Sequence, residues 1–333
     1  MLTPPQRSLA SLPTPLVPAE RLQRELGCAP LWIKRDDLTG LELSGNKVRK
    51  LEFIAADALA AGCDALVTEG TPQSNHCRAT AAVCARLGLG CTLLLRPKAP
   101  AGPPVGNHLL DGLFGAETRE FSREEFAPRR EQIVAQVCAE LRAAGRAPRW
   151  TPMGASEPLG CWGYMGAARE LSEQLRSAGV GECDVVVAVS SGATYAGLVL
   201  GRLLYGLEGL HVWAVPVSDD VAYHRESVLR LCEEVIAQFD LPVRLDASEL
   251  RFIDGFVGAG YAVPYAAALH ALRLLARLEG IVLDPVYTAK AFCALLDGIR
   301  RGRLARERPA VFIHTGGVFS DFAWPEVMQG ATG

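Results

Sequence analysis

Short, mostly apolar runs bounded by turns alternate with amphipathic stretches along this chain. Ala65 to Thr68, Cys91 to Leu95, Asp184 to Val189, His211 to Val215 and Pro309 to His314 are such runs, and Leu31 to Lys34 is another. A strand that is apolar on both sides of its pleat must be covered on both faces, and helical crossovers supply that cover in parallel sheets. Segments 47–61, 74–87, 161–179, 195–205, 220–238, 264–278 and 288–301 read as the helices. The pattern predicts an α/β fold of open twisted parallel sheets with helices on both faces. Residues 97–107, rich in Pro and Gly, are expected to form a loop. Ser44-Gly45-Asn46 reads as the turn and cap of the helix beginning at Lys47, with Gly62 as its end.

At 333 residues the chain has room for about two domains. A formal charge of −3 offers no basic surplus for nucleic acid, and 7% aromatic residues leave few platforms for bases. No apolar run approaches the ~20 residues that cross a bilayer. The opening MLTPPQRSLASLPTPLVP has prolines and charge where a signal peptide needs apolar residues, so a cytoplasmic protein is expected. Ten cysteines without a C-x-x-C pair and six histidines without H-E-x-x-H read as free, buried thiols and no metal. Only five lysines (34, 47, 50, 98 and 290) stand against 29 arginines, so chemistry that needs a lysine has few candidates.

Three loops carry candidate chemistry. Ser190-Ser191-Gly192-Ala193-Thr194 joins a buried strand to a helix, where free amides and the helix dipole favour an anion. It lacks the Gly-Lys-Ser/Thr of a nucleotide loop and the glycine spacing of a dinucleotide fingerprint, so a monophosphate ester is the expected guest. An ordinary turn with a capping serine would look the same. Thr71-Pro72-Gln73-Ser74-Asn75-His76 also lies between strand and helix and suits a carboxylate; a mere cap would require only Ser74. Lys47 and Lys50 sit at a helix start, where the dipole repels cations. A solvated charged face explains such a pair, and so does a lysine held as an imine beside a lysine serving a phosphate. Tyr261, Tyr287, Thr288 and Thr315 lie in later glycine-bearing or polar turns, although a single tyrosine there is more often a hydrogen-bonded core residue.

A lysine, a phosphate loop and a carboxylate loop together fit pyridoxal-phosphate chemistry. Here the segments LSGNKVRKLEF (43–53), QSNHCRATAA (73–82), GCWGY (160–164), SSGATYAGL (190–198), GAGYAVP (258–264), LDPVYTAKA (283–291) and FIHTGG (312–317) resemble the D-cysteine desulfhydrases. That family is grouped with the aminocyclopropane-carboxylate deaminases among the tryptophan-synthase-β-like pyridoxal-phosphate enzymes. The matches run in order over roughly residues 10–320.

The resemblance implies a large cofactor-binding domain of residues 1–48 and 160–333, a small inserted domain of 49–159, pyridoxal 5'-phosphate in the cleft, and a homodimer. It makes Lys47 the Schiff-base lysine. Lys50, Ser190, Ser191, Gly192, Ala193 and Thr194 would hold the phosphate, and Asn75 would lie beside the ring hydroxyl. Ser74, Asn75 and His76 would bind substrate, with Tyr261 and Tyr287 flanking it; Lys47, Ser74, Tyr261 and Tyr287 would be catalytic. The implied reaction is α,β-elimination of D-cysteine to pyruvate, ammonia and hydrogen sulfide. Aminocyclopropane-carboxylate deamination, elimination from cysteate, chloroalanine or serine, and a non-catalytic sensor are the alternatives.

At two places the chain departs from its relatives' patterns. Thr288 stands where the deaminases have a glutamate for the pyridine nitrogen, so Thr315 is expected to make that contact, ahead of Thr288. His76 follows the desulfhydrase pattern where the deaminases have glutamine. Glu69-Gly70-Thr71-Pro72 replaces a Gly-Gly-Ile-like run, and Glu69 is expected to add negative charge near the carboxylate loop.

Overall fold

The computed structural model describes residues 3–97, 103–304 and 307–329. The chain enters through β1 (Leu16–Pro18), α1 (Glu20–Leu26) and β2 (Leu31–Lys34). Helix α2 (Lys47–Ala60) then leads to β3 (Ala65–Gly70), α3 (Asn75–Leu87), β4 (Gly90–Leu95), α4 (Gly106–Leu113), β5 (Glu117–Glu120), α5 (Arg123–Ala143) and β6 (Pro148–Trp150). The chain continues through α6 (Pro158–Ser177), β7 (Cys183–Val189), α7 (Ala193–Leu204), β8 (Leu210–Pro216), α8 (Val221–Phe239) and β9 (Arg251–Phe252). Last come α9 (Ala266–Glu279), α10 (Thr288–Arg301), β10 (Ala310–Ile313), α11 (Val318–Asp321) and α12 (Pro325–Gln329).

Two sheets result. One has the order β1-β2-β10-β7-β8-β9 and the other β5-β4-β3-β6. Every pairing is parallel except that of β1 with β2. Alternation along β7 sorts its side chains between two cores. Val185, Val187 and Val189 pack with Leu171, Leu198 and Val228 of α6, α7 and α8. Val186 packs with Leu22, Leu272 and Leu295 of α1, α9 and α10. In the smaller sheet Leu66, Leu93 and Leu95 meet α3 through Cys77, Ala81 and Cys84, whereas Val67 and Leu94 meet Phe126, Ile133 and Val137 of α5. Both sheets are thus covered on both faces, the condition under which apolar parallel strands are stable.

The predicted apolar strands and the helices that follow them form within a few residues of their expected bounds. The expected loop at 97–107 lies partly outside the described residues (98–102), and α4 already begins at Gly106. Asn46 does not cap α2 with its side chain, which instead reaches Thr194. No disulfide links the cysteines among the described residues; Cys28, Cys63 and Cys293 are only partly buried, not buried as expected. Among the described residues no helix is long and apolar enough to cross a membrane, and no cluster of His, Cys, Asp or Glu is arranged for a metal ion.

Candidate active site

The expected site residues come from turns at strand ends and helix starts, and most of them converge. Residues 315–317 lie directly against 44–46: Asn46 N–H donates to Thr315 O at 3.1 Å, and a Cβ on Gly45 would stand 2.7 Å from that oxygen. Gly45, at φ +107°, adopts a backbone conformation that glycine alone takes readily. Asn46 Nδ2 donates to Thr194 Oγ1 at 2.9 Å, tying the start of α2 to the first turn of α7. Thr315, Lys47 and the Ser190–Thr194 loop are thereby brought together.

Gly154 completes this corner, and nothing in its Met-Gly-Ala setting marks it in the sequence. It holds φ +72°; a Cβ there would overlap Ser191 Oγ and lie 3.5 Å from Lys47 Nζ. Its carbonyl accepts a 3.1 Å hydrogen bond from Lys50 Nζ. Two lysines and a serine hydroxyl therefore surround one bare backbone turn. Burial lowers the Lys47 ammonium to about 8. Lys50 is pushed well below its usual range, chiefly by burial and then by the Lys47 charge. Neither lysine forms a salt bridge among the described residues. Adjacent cations without a carboxylate beside a helix start favour an anionic guest, because a buried charge is costly unless paired.

On the phosphate-type loop, Gly192 adopts φ +99° and precedes α7, whose first-turn amides lack intrahelical acceptors. One is already used: Ala193 N–H donates to Ser156 Oγ at 3.3 Å. Ser190 and Ser191 remain partly accessible.

The loop after β3 lies near the same corner, close enough for the Lys47 and Lys50 charges to act on His76. Ser74 is the cap of α3, its Oγ accepting from Cys77 N–H at 3.2 Å, and Asn75 Oδ1 accepts from Asn107 Nδ2 at 2.9 Å. His76 turns back toward the sheet, with Nε2 2.8 Å from Thr68 Oγ1. Because Thr68 donates its proton to Thr151 O, it accepts from His76, which fixes the Nε2–H tautomer. Burial, followed by the Lys47 and Lys50 charges, pushes His76 well down and keeps it neutral. Its imidazole shapes the loop from behind.

Tyr261 and Tyr287 meet hydroxyl to hydroxyl, with ring centroids 5.8 Å apart, and Tyr261 is hydrogen-bonded to Thr71 of the same loop. Burial raises both phenols, Tyr287 the further, so both keep their protons at neutral pH. Thr288 and Thr315 differ. Thr288 Oγ1 donates to Asp284 Oδ1 at 2.6 Å and accepts from Asp284 N–H at 2.8 Å. Thr315 Oγ1 makes no hydrogen bond with the described residues. Glu69 corrects an expectation: its carboxylate pairs with Arg96 at 2.8 Å and Arg130 at 2.5 Å on the α5 side of the sheet, so it adds no net negative charge to the carboxylate loop.

The donor set fits pyridoxal phosphate. It offers a lysine with a lowered pKa, a second unpaired lysine, a helix start rich in hydroxyls, and a glycine turn with no side chain to obstruct a ring. The sequence profile of the pyridoxal-phosphate dependent enzymes matches residues 7–316. D-cysteine desulfhydrase of Salmonella paratyphi B is 39% identical over 323 residues, covering 96% of each chain, and that of Salmonella newport is equally similar. A crystal structure described as an ACC deaminase homologue superposes with a TM-score of 0.88 at 32% identity, covering 98% of this chain and 96% of its own.

Proposed function

The chain belongs to the pyridoxal-phosphate dependent enzymes, and on that premise we propose that it is a lyase converting D-cysteine to pyruvate, ammonia and hydrogen sulfide. The likeness to the Salmonella desulfhydrases supports the substrate. The observation that carries the choice of reaction is the bond between Thr288 and Asp284, which leaves the unbonded Thr315 hydroxyl as the partner for the pyridine nitrogen. A neutral hydroxyl does not favour a protonated ring as a carboxylate does. The resulting weaker electron sink suits loss of a good leaving group better than opening of a cyclopropane.

Bound pyridoxal phosphate supplies that sink for the electron pair left when the substrate loses its α-proton. The chain's own residues divide the remaining work. Lys50, Ser190, Ser191, Gly192 and Thr194 hold the phosphate end, with Ala193 contributing through the turn rather than through its occupied amide. Asn75 serves the ring hydroxyl, while Ser74 and the neighbouring amides hold the substrate carboxylate. Lys47 anchors the cofactor and, as a free amine of lowered pKa, takes the α-proton. Tyr261 and Tyr287, both protonated, flank the β-carbon and can donate to sulfur as the C–S bond breaks and its electron pair leaves with the sulfur. A thiol, at a pKa of about 8.5, is a far better leaving group than an alcohol.

Holoenzyme given D-cysteine should release sulfide and pyruvate in equal amounts. Oxobutyrate from aminocyclopropane-carboxylate with no sulfide from D-cysteine would transfer the assignment to deamination, and binding without product would make the chain a sensor. Thr315→Val should shift the absorption of the bound cofactor and slow turnover, while Thr288→Val should chiefly loosen the Asp284 loop. The reverse pattern would assign the ring nitrogen to Thr288.

A further inference from the structure

Lys47 and Lys50 stand three residues apart in the first turns of α2, on one side of the helix. One rigid element therefore carries the groups assigned to opposite ends of the cofactor. Their aim depends on how α2 is seated, and the seat runs along its Arg49 side as far as Lys50. The G-C-W-G-Y segment of α6, which has no part in the reaction above, provides much of it.

Gly160 and Gly163 let α6 approach α2 at the level of the backbone. A Cβ on Gly163 would stand 2.5 Å from Arg49 C and 2.8 Å from Lys50 N; one on Gly160 would overlap Ala155 O and lie 3.6 Å from Lys50 Cβ. One residue on, Tyr164 donates its hydroxyl to Asp36 Oδ2 at 2.5 Å. Arg49 grips the same carboxylate as a fork, Nε to Oδ2 at 3.0 Å and Nη2 to Oδ1 at 2.9 Å. Its remaining donors reach Glu170 of α6, with Nη1 to Oε2 and Nη2 to Oε1 both at 2.9 Å. Lys34 of β2 pairs with Glu170 and donates to Thr14 O and Gln174 Oε1, each at 2.7 Å. Thr14 Oγ1 fills the last place on Asp36 Oδ1 at 2.7 Å.

Two cations and two carboxylates balance, and Lys34, Asp36, Arg49 and Tyr164 are each at most 2% exposed. Burial works to raise Asp36, but Arg49, Lys34 and the Tyr164 hydroxyl together outweigh it, so the carboxylate stays ionised. A buried ion cluster is weak support for stability, since apolar side chains of equal volume serve as well. Directional bonds add something else: a single allowed rotation and height for the helix they hold.

We propose that Arg49 and Tyr164 are positioning residues, which seat α2 on Asp36 and Glu170 against the Gly160–Gly163 face so that Lys47 and Lys50 grip the cofactor as one rigid pair. The inference rests on the pyridoxal-phosphate reading of the cleft, and the test separates the two. Apoprotein is titrated with pyridoxal 5'-phosphate and with pyridoxal, which lacks the phosphate, and the covalent product is trapped with borohydride. Wild-type protein must carry the tag on Lys47; a tag elsewhere removes the reading of the cleft. Arg49→Lys keeps the charge but loses the fork. Tyr164→Phe loses one donor and keeps its ring.

Both variants should melt cooperatively, and their preference for pyridoxal phosphate over pyridoxal should fall by about tenfold or more, since ~1 Å of misplacement can cost on the order of a hundredfold. A lower melting temperature with that preference unchanged overturns the inference, because a purely structural role predicts that result. Should Arg49→Lys fail to fold, Tyr164→Phe decides the matter under the same criterion.

Discussion

Lys47→Ala should leave a folded protein that takes up no covalent cofactor and has lost turnover by a factor on the order of a thousand or more, the combined scale of nucleophilic anchoring and general-base catalysis. The fold should survive because Lys47 has no salt bridge among the described residues, so truncation removes only a cation that burial already disfavours. Only the deprotonated amine attacks an aldehyde. With Lys47 lowered to about 8, the wild-type rate of cofactor attachment should climb as pH rises and level off above about 8. An unperturbed lysine would keep gaining rate up to about pH 10.4. Stopped-flow absorbance follows the attachment, and borohydride reduction with peptide mass analysis locates it. Turnover in Lys47→Ala, or a rate still rising beyond pH 9, would reject the role given to this amine.

Six of the strands are legible because most of their side chains are apolar, on sheets covered from both sides. β5 was not: Glu117–Glu120 reads E-T-R-E, and as the outermost strand of the smaller sheet it is mostly exposed. Helix α5 follows it with a mixed polar sequence and only four buried positions, leaving little periodicity to detect. In the site, Lys47, Lys50 and the Ser190–Thr194 loop stand out because their local chemistry conflicts with an ordinary helix start or turn. Other features depend on residues distant in sequence. Asn46 looks like a cap until Thr194 is brought beside it. Glu69 looks like a misplaced charge until Arg96 and Arg130 neutralise it from β4's end and α5. Local pattern reports what a segment must bury; it does not report which partner arrives.

Gly154 is the sharpest instance, and its replacement tests the corner where Lys47, Lys50 and Ser191 meet. Gly154→Ala places an L side chain at φ +72°, a left-handed conformation that costs roughly 1–2 kcal/mol. Its Cβ would also stand 2.7 Å from Ser191 Cβ and 3.5 Å from Lys47 Nζ, so the turn must move, taking with it the carbonyl that Lys50 holds. Stability should fall by about that backbone cost, whereas affinity for pyridoxal phosphate should fall on the order of a hundredfold, because both lysines and the serine lose their alignment together. Gly166→Ala is the matched control: this glycine lies on an exposed face of α6 where an added methyl would have nothing within 4 Å, and gaining alanine there should be neutral or stabilising by up to ~1 kcal/mol. Calorimetry and cofactor titration on the two variants read the contrast. If Gly154→Ala binds the cofactor as tightly as Gly166→Ala does, the 153–155 turn does not border the cofactor, and the crowding around it serves packing alone.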